Sequence, residues 1–202
     1  MAYFTHTDVH REPLHANSIQ CWLLGHCIED MDRSLLIQNA EMVFQGRVVQ
    51  GDLRAESGRI SEIAPGGGLT LRDGEVSIEA EGLHLLPGAI DPQVHFREPG
   101  QPEKEDIGSG SCAAASGGVT AFLDMPNNVP SAVSMESIQA KLDSASKSSV
   151  THHGFFIGAT PDNLNELQKA VGTPDSPKPT DGICGIKIFT VSYTHLTLPT
   201  KA

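Results

Sequence analysis

The chain is short of positive charge. Its 202 residues carry 14 Lys and Arg against 25 Asp and Glu, for a formal charge of −11. Nucleic acids and anionic membranes are held by clustered Lys and Arg, so this balance argues against both as partners. No apolar run approaches the roughly 20 residues that cross a bilayer. CWLLGHC, at 21–27, is too short, contains His26 and lacks the basic start of a secretory signal. The four cysteines, at 21, 27, 112 and 184, form no C-x-x-C pair and no zinc-ribbon spacing. Scattered in this way, they read as reduced thiols of a cytoplasmic protein. No G-x-G-x-x-G follows an apolar run, which leaves a dinucleotide fold without support.

What is present sorts into stretches. An apolar content of 39% and 20 glycines suit a globular chain with many tight turns. Residues 1–33 hold four of the nine histidines, His6, His10, His15 and His26, without a sustained period. A His-rich tract can bind metal, but a leader outside the fold is the expectation. Residues 34–85 read as short strands in a small antiparallel sheet, punctuated by Gly46, Gly51, Gly58 and three glycines at 66–68. Val48, Leu53, Ile60 and Ile63 are spaced for half-buried strands.

From 86 to 189 strands alternate with helices. An apolar run ends near Asp91, and a helix is predicted over Glu103–Ser116, with acids in its first turn and Gly117 and Gly118 as its stop. A strand follows at Val119–Met125. Ser134 caps a helix with Met135, Ile138 and Leu142 on one face. A third strand spans His153–Ala159. Thr160, with Pro161 behind it, opens a helix striped by Leu164, Leu167 and Val171 and stopped by Gly172. GICGIKIF, Gly182–Phe189, is the fourth strand. Such alternation calls for a parallel sheet covered by helices, either doubly wound or half of a barrel. Polar residues at strand C-terminal ends favour the barrel. They are His95 and Arg97 after the first strand, Asn127 after the second and Lys187 near the end of the fourth.

The densest chemistry lies in LPGAIDPQVHFREPG, Leu86–Gly100. Gln93, His95 and Arg97 occupy alternate positions, one face of an extended segment, and gather an amide, an imidazole and a guanidinium. PG-x-ID-x-x-V-H-F-REPG is similar to the first barrel strand of dihydroorotases, cyclic-amide hydrolases of pyrimidine synthesis within the amidohydrolase superfamily. The resemblance implies an α/β fold. Residues 86–189 would form the N-terminal half of a (β/α)8 TIM-like barrel, preceded over 34–85 by part of a small β-sandwich.

The resemblance also implies one or two Zn2+ ions, held by His95 and by Lys187 as a carboxylated lysine, with Arg97 and Asn127 gripping the substrate's carboxylate. Where the family usually carries His-x-His, Gln93 replaces the first histidine, and a glutamine oxygen is a weak zinc ligand. The site would then hold one tight and one loose metal, run mononuclear, or belong to an inactive paralogue that supports another pyrimidine enzyme. Taken alone, Lys187 reads as a snorkelling barrel lysine and Asn127 as a turn residue beside Pro126. Asp91 lies near the metal or caps a turn, Asp124 reads as structural, and His152 and His153 as bland.

The catalytic aspartate and two later histidines are expected beyond residue 189, so the chain alone is expected to be inactive. Residues 190–202, with His195, resemble a translated sequencing adapter and read as a non-native tail. The expected reaction is closure of N-carbamoyl-L-aspartate to dihydroorotate and its reverse, with allantoinase or hydantoinase chemistry as the alternative. Expected partners are a small molecule with a carboxylate and either a second copy or aspartate carbamoyltransferase.

Overall fold

The structure, a computed structural model, describes residues 2–5 and 34–189. Most of the expected leader, and the tail at 190–202 with His195, lie outside the described residues, as do Cys21 and Cys27. The chain divides between Gly88 and Ala89 into two compact units.

The first unit is a six-stranded sheet of β1 (Ala2–Thr5), β2 (Leu35–Phe44), β3 (Arg47–Glu56), β4 (Arg59–Pro65), β5 (Val76–Glu79) and β6 (His84–Pro87). Two-residue turns at Gln45-Gly46 and Ser57-Gly58 join β2 to β3 and β3 to β4. All four turn residues have positive φ, the geometry that matches the twist of a tight hairpin. The sheet is mixed rather than antiparallel, because β5 and β6 both pair with β2 in parallel. β1 pairs antiparallel with β6, so the expectation that 1–33 lies outside the fold fails at Ala2–Thr5.

Ile37, Ala40, Met42, Leu53, Ala80 and Leu85 form this unit's core. Val48 and Ile60, expected to be half-buried, are 58% and 62% exposed, and Ile63 is exposed as well. Period 2 reports which residues share a face, not whether that face is covered. Arg54 is buried, with its guanidinium 2.7 Å from Glu75 and 2.5 Å from Glu62.

The second unit is a four-stranded sheet in the order Ile183–Lys187, His152–Gly158, Val119–Asp124, Ala89–Val94, every pair parallel. Its elements are β7 (Ala89–Val94), α1 (Ile107–Ser116), β8 (Val119–Asp124), α2 (Met135–Ser148), β9 (His152–Gly158), α3 (Leu164–Val171) and β12 (Ile183–Lys187). Between α3 and β12 a small hairpin is made by β10 (Gly172–Thr173) and β11 (Ser176–Pro177). Ile107, Phe122, Ile138, Phe155, Ile157 and Ile183 interlock in the core between sheet and helices.

Ser134 caps α2 as expected, accepting from the Ser137 N–H, with Ser137 answering it. Two helix starts differ from the sequence reading. α1 opens only at Ile107, because Asp106 takes the cap by accepting from the Ser109 N–H at 2.6 Å. α3 opens at Leu164 rather than at Thr160. The Thr160 N–H donates to the Asn163 side chain, which donates in turn to the Val133 and Gly158 carbonyls, so 160–163 is held as a turn.

Candidate functional site

In a parallel sheet, paired residues share a face and their neighbours take the other. Phe155 and Ile157 belong to the helix-side core. Lys187 is in register with Gly158, one residue beyond Ile157, which puts it on the face opposite the helices. Val94 and Phe96 both pack against the helix-side core, and this turns His95 to that same opposite face. The register of β7 on β8 slips between Asp91 and Val94, leaving one more residue on β7 than on β8. Bulges of this kind re-aim side chains beside active sites.

The slip interrupts the face that Gln93, His95 and Arg97 were expected to share, and β7 ends at Val94. Gln93 is exposed, and its backbone N–H donates to Asp91 Oδ1 at 3.0 Å.

His95 and Asn127 meet across the ends of β7 and β8, with Nδ1 of the imidazole 2.9 Å from Asn127 Oδ1. An amide oxygen accepts, so this contact suits the neutral tautomer with its proton on Nδ1, in which Nε2 keeps a lone pair. The same bond fixes the Asn127 amide and leaves its NH2 to donate elsewhere. Arg97 is half-buried; its backbone N–H donates to the Glu105 carbonyl at 3.0 Å, and its carbonyl accepts from Gln101 at 2.9 Å. Among the described residues no acid pairs with its guanidinium. The Lys187 ammonium lies 5.7 Å from the centre of the Phe189 ring, a cation–π contact.

Sequence reasoning missed what holds these residues. The Phe96 ring packs edge-on to Phe122 at 4.7 Å and sits under α1. A Cβ at Gly110 would fall 2.5 Å from that ring, so α1 must be bare there. Glu98 accepts from the Ile107 N–H at 2.9 Å and from the Ser144 hydroxyl, tying the same loop to α1 and α2. Lys141, fully buried, pairs with Asp124 at 2.6 Å. Its signal was available: it lies three residues after Ile138 and four before Ala145, on the apolar face of α2.

His95 and Lys187 lie on one sheet face, at its two edge strands. Among the described residues no group of three or more His, Cys, Asp and Glu gathers to hold a metal ion.

A parallel β/α sheet with polar residues at its C-terminal rim is the arrangement of part of a β/α barrel. Residues 82–174 match the Dihydro-orotase-like family model. The chain is 36% identical to an allantoinase of Solibacter usitatus over 76% of its own length and 31% of that protein. It is 48% identical to a dihydroorotase of Bacillus licheniformis over 48% of its length and 22% of that protein. Among solved structures it resembles the D-hydantoinase (dihydropyrimidinase) of a Thermus species, with a TM-score of 0.58 and 27% identity over 68% of this chain and 31% of that one. These matches support a chain of the cyclic amidohydrolase type within the amidohydrolase superfamily. The chain spans about a third or less of the length of these curated relatives. Among the described residues no helix is long and apolar enough to cross a membrane.

Proposed function

We propose that the chain carries the opening half of the site of a dihydroorotase-like hydrolase, one that closes N-carbamoyl-L-aspartate to dihydroorotate and reverses it. The observation that carries this reading is the His95–Asn127 bond across two strand ends, with Arg97 two residues further along the same loop and, among the described residues, no acid paired with its guanidinium. A planar guanidinium matches a carboxylate with two parallel N–H···O bonds. Arg97 holds the substrate's carboxylate in this way, and the Asn127 NH2 donates to it from the neighbouring strand.

His95 offers Nε2 to zinc, and Lys187, as a carbamate, offers oxygens on the same face. Zinc bound there would lower the pKa of a water to about 7 and polarise the scissile carbonyl. The residues of the chain then orient: one bond, His95 to Asn127, links the nitrogen facing the metal to the amide facing the substrate. Carboxylation of Lys187 would replace its cation by an anion and end its attraction to the Phe189 ring. Gln93, exposed near the end of β7 and a weak ligand at best, supports a single tightly held metal.

Allantoin hydrolysis is the second reading, favoured by the Solibacter usitatus relative. Dihydroorotate comes first because its ring carboxylate gives Arg97 a partner. An assay of the whole protein with zinc separates the two. Turnover of carbamoyl-aspartate supports the proposal, and turnover of allantoin alone removes it while keeping the class. No turnover of either, with metal content near zero, leaves the non-catalytic partner.

A further inference from the structure

The loop bearing His95 and Arg97 is fastened from the helix side by one buried ammonium. Lys141, on α2, and Asp124, at the end of β8, are both fully buried. Lys141 Nζ donates to Asp124 Oδ2 at 2.6 Å, to Asn128 Oδ1 at 2.7 Å and to the Met125 carbonyl at 3.2 Å. An ammonium has three protons, and each has an acceptor. Asp124 turns its other oxygen to the Phe96 N–H at 3.0 Å. Asn128 donates to the Phe96 carbonyl at 3.2 Å and to the Glu98 carbonyl at 2.8 Å. Both backbone groups of Phe96 therefore end on a partner of Lys141.

Phe96 is the residue between His95 and Arg97, and Asn128 follows Asn127. The network thus joins the loops that carry His95, Arg97 and Asn127, one residue away from each of these three side chains. Apolar residues of matching volume would often stabilise a core as well as a buried ion pair does. What apolar packing lacks is direction, whereas these bonds set one loop against the other. Burial pushes the Lys141 ammonium down and the Asp124 carboxyl up, and their mutual attraction opposes both.

We propose that Lys141 is a positioning residue that acts through Asp124 and Asn128 to set the loop of His95 and Arg97 against that of Asn127. The assignment rests on the proposed function only for what the rim binds. Its contrary is an ion pair that merely fills the core.

The test uses the 15N-labelled chain and two replacements, Lys141→Met and the apolar pair Lys141→Met with Asp124→Leu. The pair leaves no lone buried charge, so it stays informative if the single variant fails to fold. Neither replaced residue touches His95, so its imidazole spectrum is the deciding readout. The native chain is expected to show the Nδ1–H tautomer of neutral His95. In folded variants that preference is lost, and N-carbamoyl-L-aspartate binds about 10- to 100-fold more weakly, the usual effect of removing an orienting partner. A folded variant with the native tautomer, whatever its melting temperature, overturns the proposal. If the whole zinc-loaded protein binds no carbamoyl-aspartate, the proposed function fails instead, and the tautomer alone still judges Lys141.

Discussion

Among the described residues each unit buries one cation, and the two are connected very differently. Arg54, its side chain 3% exposed, fans out to Glu62 on the neighbouring strand β4. It also reaches Glu75 and the Thr70 carbonyl on the connection that follows β4. Every partner belongs to the same sheet unit, and the fork serves several directions at once. Lys141, equally buried, reaches three acceptors within 124–128, and through them the two loops of the candidate site. A buried charge enclosed in a sheet fixes a fold; one placed under a strand rim fixes a site. The location of its partners, not the burial, separates the roles.

Breaking the second network sharpens the contrast most. Lys141→Ala leaves the Asp124 carboxylate buried without a counter-charge, and removing one partner of such a pair costs about 3–5 kcal/mol. Chemical denaturation followed on each unit should show the loss in the parallel sheet alone. Arg54→Met should do the reverse, lowering the mixed sheet and leaving the His95–Asn127 bond intact by NMR.

Gly110→Ala is expected to lose about 1–3 kcal/mol, the usual consequence of overpacking. Its methyl would drive the Phe96 ring, and the loop with it, toward the open face; a thermal melt gives the size and the His95 spectrum the direction.

A graded effect follows on acidification. Arg54 holds the Glu75 carboxyl down at about 2 from its ordinary 4.5. A carboxyl with a depressed folded-state pKa adds stability that is fully present above pH 4.5 and is lost as pH falls toward 2. The mixed sheet should therefore weaken across that window, read as a falling denaturation midpoint, and Glu75→Gln should flatten the dependence.

The smallest change in stability is expected for Asn127→Ala. It removes one partly exposed hydrogen bond, about 0.5–1.5 kcal/mol. Its mark should lie on the His95 tautomer and on carboxylate binding.

The alternation of strand and helix, the Ser134 cap and the Gly172 stop were legible because local chemistry decides them. The starts of α1 and α3 were not, since Asp106 and Asn163 each win their turn through bonds that spacing does not reveal. The exposure of Val48 and Ile60 was hidden because a strand's period does not say what covers its face. Lys141 was missed because lysine on a helix ordinarily belongs to the wet side. Asn128 was passed over beside its more conspicuous neighbour, although it is Asn128 that holds the loop.

The central claim is that Arg97 grips a substrate carboxylate. It is tested most directly by kcat/KM of the whole zinc-loaded protein, native and Arg97→Met, on dihydroorotate and on dihydrouracil, a cyclic amide without that carboxylate. The account predicts a fall of about 10- to 100-fold on dihydroorotate, the worth of hydrogen bonds to a charged group, with little change on dihydrouracil. Equal losses on both substrates, or none on dihydroorotate, would contradict it.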